Sequence, residues 1–236
     1  MTPNPSPLYA QVMQILRDRM AAGEWRAGQA LPSEFALADE IGVSQGTVRK
    51  ALNAMAAENL LDRRQGKGTF MPEHTPQRAL YHFFRLVRPD GTPALPELIR
   101  QTITRVPPEP ALNKALGAGR RQIWKIDRVR ALDGLPSLVE QSYLDPAAFP
   151  DLTPETDLPN ALYTYYQAHG GHTVVRATDT LGAEAAPPEV AKALNLPKGT
   201  AVMLAEREAQ DVAGQTIEIR RSWIATRTAR YRVTLK

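Results

Sequence analysis

The chain has 236 residues, 43% of them hydrophobic, with 29 Lys+Arg against 25 Asp+Glu and a formal net charge of +4. That apolar content supports a folded core and excludes disorder throughout, and the length fits one large domain or two of roughly 100–200 residues each. The absence of cysteine excludes disulfide frameworks, thiolate metal sites and cysteine nucleophiles.

No stretch reaches the roughly 18–20 apolar residues of a membrane span. Residues 1–7 carry neither a basic nor an apolar leader segment, so a cytoplasmic protein is expected. Leu8, Val12, Ile15 and Leu16 then recur at helical spacing and predict an amphipathic helix that begins near Pro7 and ends near Gly23. Ser33 is placed to cap a second helix through Ile41. Gly42-Val43-Ser44 form a tight turn, and Ser44 is placed to cap a third helix reaching Glu58, with Val48, Leu52 and Met55 on one stripe. Two short helices across a glycine-containing turn make a helix-turn-helix. The basic turn 62–68, flanked by Leu60-Leu61 and Thr69-Phe70-Met71, predicts a β-hairpin, which completes a winged helix. Charge follows the same division. Residues 1–71 hold 8 basic and 7 acidic side chains, whereas residues 44–71 hold 5 and 2.

The polar, proline-containing residues 72–79 read as a linker between a domain at 1–71 and another at 80–236. The second domain repeats itself after about 80 residues. Pro107-Pro108-Glu109 returns as Pro187-Pro188-Glu189, Lys114-Ala115-Leu116 as Lys192-Ala193-Leu194, and Gly134 as Gly214. Ser142-Tyr143-Leu144 returns as Ser222-Trp223-Ile224. Two copies of a helix and a hairpin predict one antiparallel sheet with a pseudo-twofold axis and a ligand cleft between the halves.

The third helix would present Ser44, Gln45, Thr47 and Arg49 to a major groove. Gln45 can pair with adenine, the hydroxyls and helix N-terminus can hold phosphates, and Arg63, Arg64 and Lys67 of the wing can neutralise backbone charge. Arg128 and Arg130 alternate on a strand and so share a face, where two guanidinium groups suit a carboxylate or phosphate. His169-Gly-Gly-His172 lacks a third ligand, so no metal and no cofactor are expected. Trp124 and Trp223 read as core.

Pro7-Leu8-Tyr9-Ala10-Gln11, Gly28-Gln29-Ala30-Leu31-Pro32-Ser33-Glu34, Val43-Ser44-x-x-Thr47-Val48-Arg49-x-Ala51-Leu52 and Arg63-Arg64-Gln65-Gly66-Lys67-Gly68-Thr69-Phe70 together resemble the winged helix of the GntR family of bacterial transcription regulators. The resemblance implies DNA contact through Ser33, Glu34, Ser44, Gln45, Gly46, Thr47, Arg49, Arg63, Arg64, Lys67, Gly68 and Thr69. Two departures stand out. Gln45 occupies a position where many members have Arg, which would change the base preference. Phe35 replaces a basic residue, so one backbone contact is expected to be lost.

The second domain resembles the UTRA effector domain of the HutC-type subfamily through Arg128-x-Arg130-x-x-Asp133-Gly134-x-Pro136, Glu140-x-Ser142-Tyr143, Leu162-Tyr163, Gly214-x-x-Ile217-Glu218, Ser222 and Arg230-Tyr231. This implies an α+β protein: an N-terminal winged helix-turn-helix and a C-terminal chorismate-lyase-like antiparallel sheet with helices. It also implies a homodimeric repressor released from a palindromic double-stranded DNA operator by a small metabolite. The effector is expected to be an anion held among Arg128, Arg130, Glu140, Ser142, Tyr143, Tyr163 and Glu218. The competing reading is an enzyme, a lyase acting on an aromatic acid. Its support is the fold likeness alone, and fold does not fix function.

Overall fold

The computed structural model describes residues 6–75, 84–119 and 121–234. Residues 1–5, linker residues 76–79, residues 80–83 of the expected second domain, Arg120 and residues 235–236 lie outside them. Three helices open the chain: α1 (Leu8–Ala21), α2 (Glu34–Ile41) and α3 (Gln45–Ala57). Ser33 Oγ accepts the Ala36 amide at 3.1 Å and Ser44 Oγ accepts the Thr47 amide at 3.2 Å. Each serine thereby satisfies a donor that the first helical turn leaves open. Gly42 ends α2 at φ +75°, a left-handed backbone that glycine adopts without steric cost and that lets α3 depart in a new direction.

The apolar stripes of the helices meet in one cluster that includes Val12, Leu16, Leu37, Val48, Leu52 and Met55. Burial of each stabilises the fold by roughly 1.5–3 kcal/mol relative to exposure. β1 (Asp62–Arg64) and β2 (Gly68–Phe70) form the antiparallel wing. The Leu31 amide donates to the Thr69 carbonyl at 2.8 Å, which fastens the wing to the segment leading into α2.

The remainder is built on a six-stranded antiparallel sheet of β4 (Glu97–Val106), β5 (Ile123–Leu132), β6 (Leu135–Leu144), β7 (Val174–Ala185), β8 (Ala201–Asp211) and β9 (Thr216–Ile224), in the order β4-β5-β6-β9-β8-β7. A small ladder joins β3 (Leu86–Val87) to β10 (Arg230–Tyr231). Helices α4 (Pro110–Leu116), α5 (Leu162–Gly170) and α6 (Pro188–Ala193) pack on the sheet.

The strand order reads the same from both edges. The units β4-α4-β5-β6 and β7-α6-β8-β9 meet where β6 pairs with β9, the arrangement that the 80-residue repeat predicts. There Glu140 faces Ser222, Gln141 faces Arg221 and Ser142 faces Arg220. The repeat offset maps Glu140 onto Arg220 and Ser142 onto Ser222, so the pseudo-twofold axis passes through the Gln141–Arg221 pair.

Period-two alternation gives the sheet two faces. On one, α4 packs Leu112 and Leu116 near Tyr143 and Ile219, and α6 packs Val190 and Leu194 follows it against Val139 and Trp223. On the other, α5 packs Leu162, Tyr163 and Tyr166 against Ile126 and Leu144. Trp124 and Trp223 are both buried.

The two parts of the chain also touch. Val175 and Val212 of the sheet domain join the apolar cluster of the three helices. Gln167 Nε2 donates to the Pro72 carbonyl at 3.0 Å, and the His74 amide donates to Gln167 Oε1 at 2.8 Å.

Gly170, the last residue of α5, lies against Phe149. A Cβ placed there would come within 2.6 Å of the ring. Gly170→Ala is therefore expected to lower the unfolding free energy by about 1–3 kcal/mol. Gly182→Ala, whose Cβ meets nothing within 4 Å, is expected to change it by no more than about 0.5 kcal/mol. Urea denaturation checks both.

Candidate functional site

On the winged domain, Ser44, Gln45, Gly46, Arg49, Arg63, Arg64, Lys67 and Gly68 are exposed, and Thr47 is half-buried. The recognition helix α3 thus presents its N-terminus, with the wing beside it. The exposed Ser33 hydroxyl caps α2, while Thr69 is buried and offers its backbone to the wing ladder. Glu34 joins the elements. Its Oε2 accepts Arg49 Nε at 2.8 Å and its Oε1 accepts an Arg63 terminal nitrogen at 2.6 Å. Arg64 lies over the Phe70 ring at 4.2 Å, which leaves its charge at the surface while its stem packs. Phe35 stands 72% exposed at the start of α2.

The sheet domain holds a second polar site, buried beneath α5. Arg128, Arg130, Glu140, Glu218 and Arg220 all lie on one face and all are less than 9% exposed. Such charges persist inside a fold only when paired and hydrogen-bonded. Arg220 donates to both Glu218 oxygens at 2.8 and 2.9 Å and to Ser142 Oγ at 3.1 Å, and lies 3.7 Å from Glu140. Tyr166 donates its hydroxyl to Glu218 at 2.7 Å. Arg207 grips Asp179 with two bonds of 2.6 Å, and Tyr231 donates to the same carboxylate. A small cavity of about 30 Å³ opens among Glu140, Asp179, Arg207, Arg220, Ser222 and Tyr231, with Phe84, Leu138 and Ile224 as apolar walls.

The structure brings Glu140, Ser142, Tyr163 and Glu218 together around Arg220. Tyr163 lies 5.5 Å beneath its guanidinium. Arg128 and Arg130 sit behind this group rather than on the cavity wall. Arg128 donates to the carbonyls of Pro159 and Asn160 at 3.0 and 3.2 Å. Arg130 donates to the Pro96 carbonyl at 2.8 Å and to Glu140 at 3.3 Å. Tyr143 points to the opposite face, with its hydroxyl on Gln141. Sequence reasoning missed Arg207, Asp179 and Arg220 as members of the site. For Arg220 a signal existed, because it is the repeat counterpart of Glu140. His169 stacks on Tyr165 and His172 bonds Asp211 at 3.0 Å. Among the described residues no group of three His, Asp or Glu could hold a metal.

Comparison with known proteins decides the family. Residues 8–71 match the model described as "Bacterial regulatory proteins, gntR family", and residues 101–231, more than half of the chain, match the UTRA domain. The chain belongs to the GntR family. It is a DNA-binding transcription regulator of the UTRA-bearing, HutC-type branch, and the lyase reading is not favoured. This GntR regulator is 31% identical over 208 residues to the HTH-type transcriptional repressor NagR of Bacillus subtilis, covering 86% of this chain and 84% of that one. It is 29% identical to the mannosyl-D-glycerate transport/metabolism system repressor MngR of Escherichia coli, over 97% and 95% of the two chains. Its fold is like that of the ligand-binding domain of a Bordetella bronchiseptica regulator assigned to the same family, at a TM-score of 0.58 and 24% identity, over 64% of this chain and 96% of that one. Regulators of this family bind DNA operators, and small-molecule effectors through the UTRA domain. No helix among the described residues is long and apolar enough to cross a membrane.

Electrostatics of the buried group set its response to acid. Burial pushes the Glu140 carboxyl up, but Arg130, Arg220 and Arg128 outweigh it and hold it at about 2, against about 4.3 in an unfolded chain. Burial draws Arg128 down to about 10. Because the folded-state value of Glu140 is lowered, its stabilisation is complete above about pH 4.5, fades between about pH 4.5 and 2, and is of the order of 3 kcal/mol. Glu140→Gln is expected to cost about 3–5 kcal/mol at pH 7 and progressively less toward pH 3. Urea unfolding of both proteins across that range measures the closing gap.

Proposed function

We propose that this protein is a homodimeric repressor that binds a palindromic operator and leaves it when a small anion enters the sheet domain. The observation that carries this reading is the pairing of an exposed recognition-helix N-terminus with a second domain holding a buried, arginine-rich cavity. Four buried or nearly buried arginines, Arg128, Arg130, Arg207 and Arg220, surround three carboxylates, Glu140, Asp179 and Glu218. The Nε donors of Arg128 and Arg130 are buried with no acceptor in reach. Arg207 and Arg220 face the cavity, and with the surplus of positive charge behind them they favour a carboxylate or phosphate ligand. The name of the relative MngR points the same way in chemistry, since mannosyl-D-glycerate carries a carboxylate. A dimer would set two recognition helices about one helical turn apart, the spacing of a palindrome. A regulator of chromosomal operators works in the cytoplasm.

A contiguous contact chain supports the coupling between the sites. Tyr163 and Gln167 lie one turn apart on α5 and so on one face. Tyr163 meets Arg220 at 5.5 Å and the His74 ring at 5.9 Å, while Gln167 binds the backbone on both sides of Glu73. Anything that moves Arg220 therefore presses on residues 72–74, which leave directly from the wing.

Selection of binding fragments from a random duplex library tests the reading. A palindromic sequence with half-sites one turn apart is expected, and no enrichment by the wild-type chain overturns it. Gln45→Arg is expected to replace adenine by guanine at one position of each half-site, with about 1–3 kcal/mol of discrimination. A thermal-shift screen of phosphorylated and carboxylated metabolites should then find a ligand that releases the selected duplex. For Gln167→Ala, affinities for duplex and ligand are each expected to stay within a few-fold, while the mutual weakening, of the roughly 5–150-fold usual for allosteric coupling, is lost. Fluorescence anisotropy at fixed and varied ligand concentration reads all three quantities.

A further inference from the structure

Glu34 stands out on the DNA-facing surface because it is an anion where a phosphate backbone must approach. Its carboxylate is not aimed outward. One oxygen takes Arg49 of the recognition helix at 2.8 Å and the other takes Arg63 of the wing at 2.6 Å. Arg63 also donates to Asn53, a further turn along α3. The Glu34 side chain is 17% exposed, against 56% for Arg49 and 35% for Arg63. The acid thus lies beneath the two bases, between them and the start of α2. Burial raises the Glu34 carboxyl, but Arg49 and Arg63 outweigh it and keep it ionised.

We infer that Glu34 is a positioning residue for operator recognition, not itself a DNA contact: it clasps Arg49 and Arg63 so that helix and wing meet the duplex at a fixed separation. Arginine carries large rotamer freedom, and two free guanidinium groups would settle on whatever phosphates lie nearest. Glu34 prevents this in two ways. It holds each guanidinium at one place, and it cancels one of their two charges. Both effects act against sequence-independent phosphate binding, which grows with the number of phosphates neutralised. The cost is affinity for DNA in general and the gain is discrimination. This inference rests on the operator-binding reading given above.

The test uses the full-length chain and two probes of equal length: a duplex that the wild type selects from a random library, and a scrambled version of it. For Glu34→Ala, binding to the selected duplex is expected to weaken at least 10-fold while binding to the scrambled duplex is unchanged or tighter. The slope of log K against log salt on the scrambled duplex should steepen by about one to two, since each added phosphate contributes about 0.9. Glu34→Gln keeps the shape and one acceptor but removes the charge. It should show the same steepening with a smaller loss of discrimination, and it serves if the alanine variant fails to fold. Equal weakening on both duplexes with an unchanged slope overturns the inference, since a direct contact or a loosened fold would behave so. Failure of the wild type to select any duplex would instead overturn the operator-binding reading itself.

Discussion

The pairing of β6 with β9 is the contact on which the sheet domain depends. It joins the two halves of a duplicated unit, and the antiparallel register with Gln141 opposite Arg221 puts each residue beside the repeat counterpart of its neighbour. Glu140 and Arg220 occupy equivalent positions in the two halves, yet one is an acid and the other a base. A strictly symmetric sequence would place two like charges about the axis, buried and repelling. The divergence of one copy turns that conflict into an ion pair, with Ser142 and Ser222 filling the other two corners.

Everything that closes this site is then layered on it. Asp179 and Arg207 extend the same face across β8 and β7, and Tyr231 reaches in from the small ladder to bond Asp179. The backbone carbonyls of Pro96, Pro159 and Asn160 hold Arg128 and Arg130 from the other side. Helix α5 lies over the group, with Tyr166 on Glu218 and Tyr163 beneath Arg220. Its last residue must be small because Phe149 presses against it. The helix that covers the Glu218–Arg220 pair is therefore the one that meets the strap leaving the DNA-binding domain. The buried charged group and the strap thus touch one and the same helix.

Much of this was legible in the residues. Caps at Ser33 and Ser44, the stripe Val48-Leu52-Met55 and the basic glycine turn are local signals, and each is set by a period or a hydrogen bond within a few residues. The 80-residue repeat likewise implied the palindromic strand order, because a duplicated helix and hairpin has few ways to share one sheet. The partners of charged side chains were not legible in the same way. Arg128 and Arg130 do share a face, as period two requires. What they grip is decided by the 159–160 loop and by Pro96, roughly 30 residues away in the chain. A carbonyl offers no signature in sequence, since every residue has one. The same reasoning applies to Glu34, which the family resemblance placed at the DNA and whose surroundings show it turned toward two arginines.

The surplus of buried positive charge has a thermodynamic consequence. Two guanidinium Nε donors without an acceptor each leave a desolvation cost that folding does not recover. A core built for stability alone would replace such a group with apolar side chains, which pack as well or better. Its presence at the centre of the domain therefore marks a structure held short of its own optimum. An anion in the cavity would lie against Arg207 and Arg220 rather than the Nε donors behind them; it would offset the surplus charge and stabilise the conformation that admits it. The energy available to change the DNA-binding domain is bounded by this difference between the empty and filled site. A ligand without charge could fill the apolar wall formed by Phe84, Leu138 and Ile224, but it would leave the arginines as they are. The electrostatic imbalance of the site would thus be offset by an anion and not by a neutral ligand.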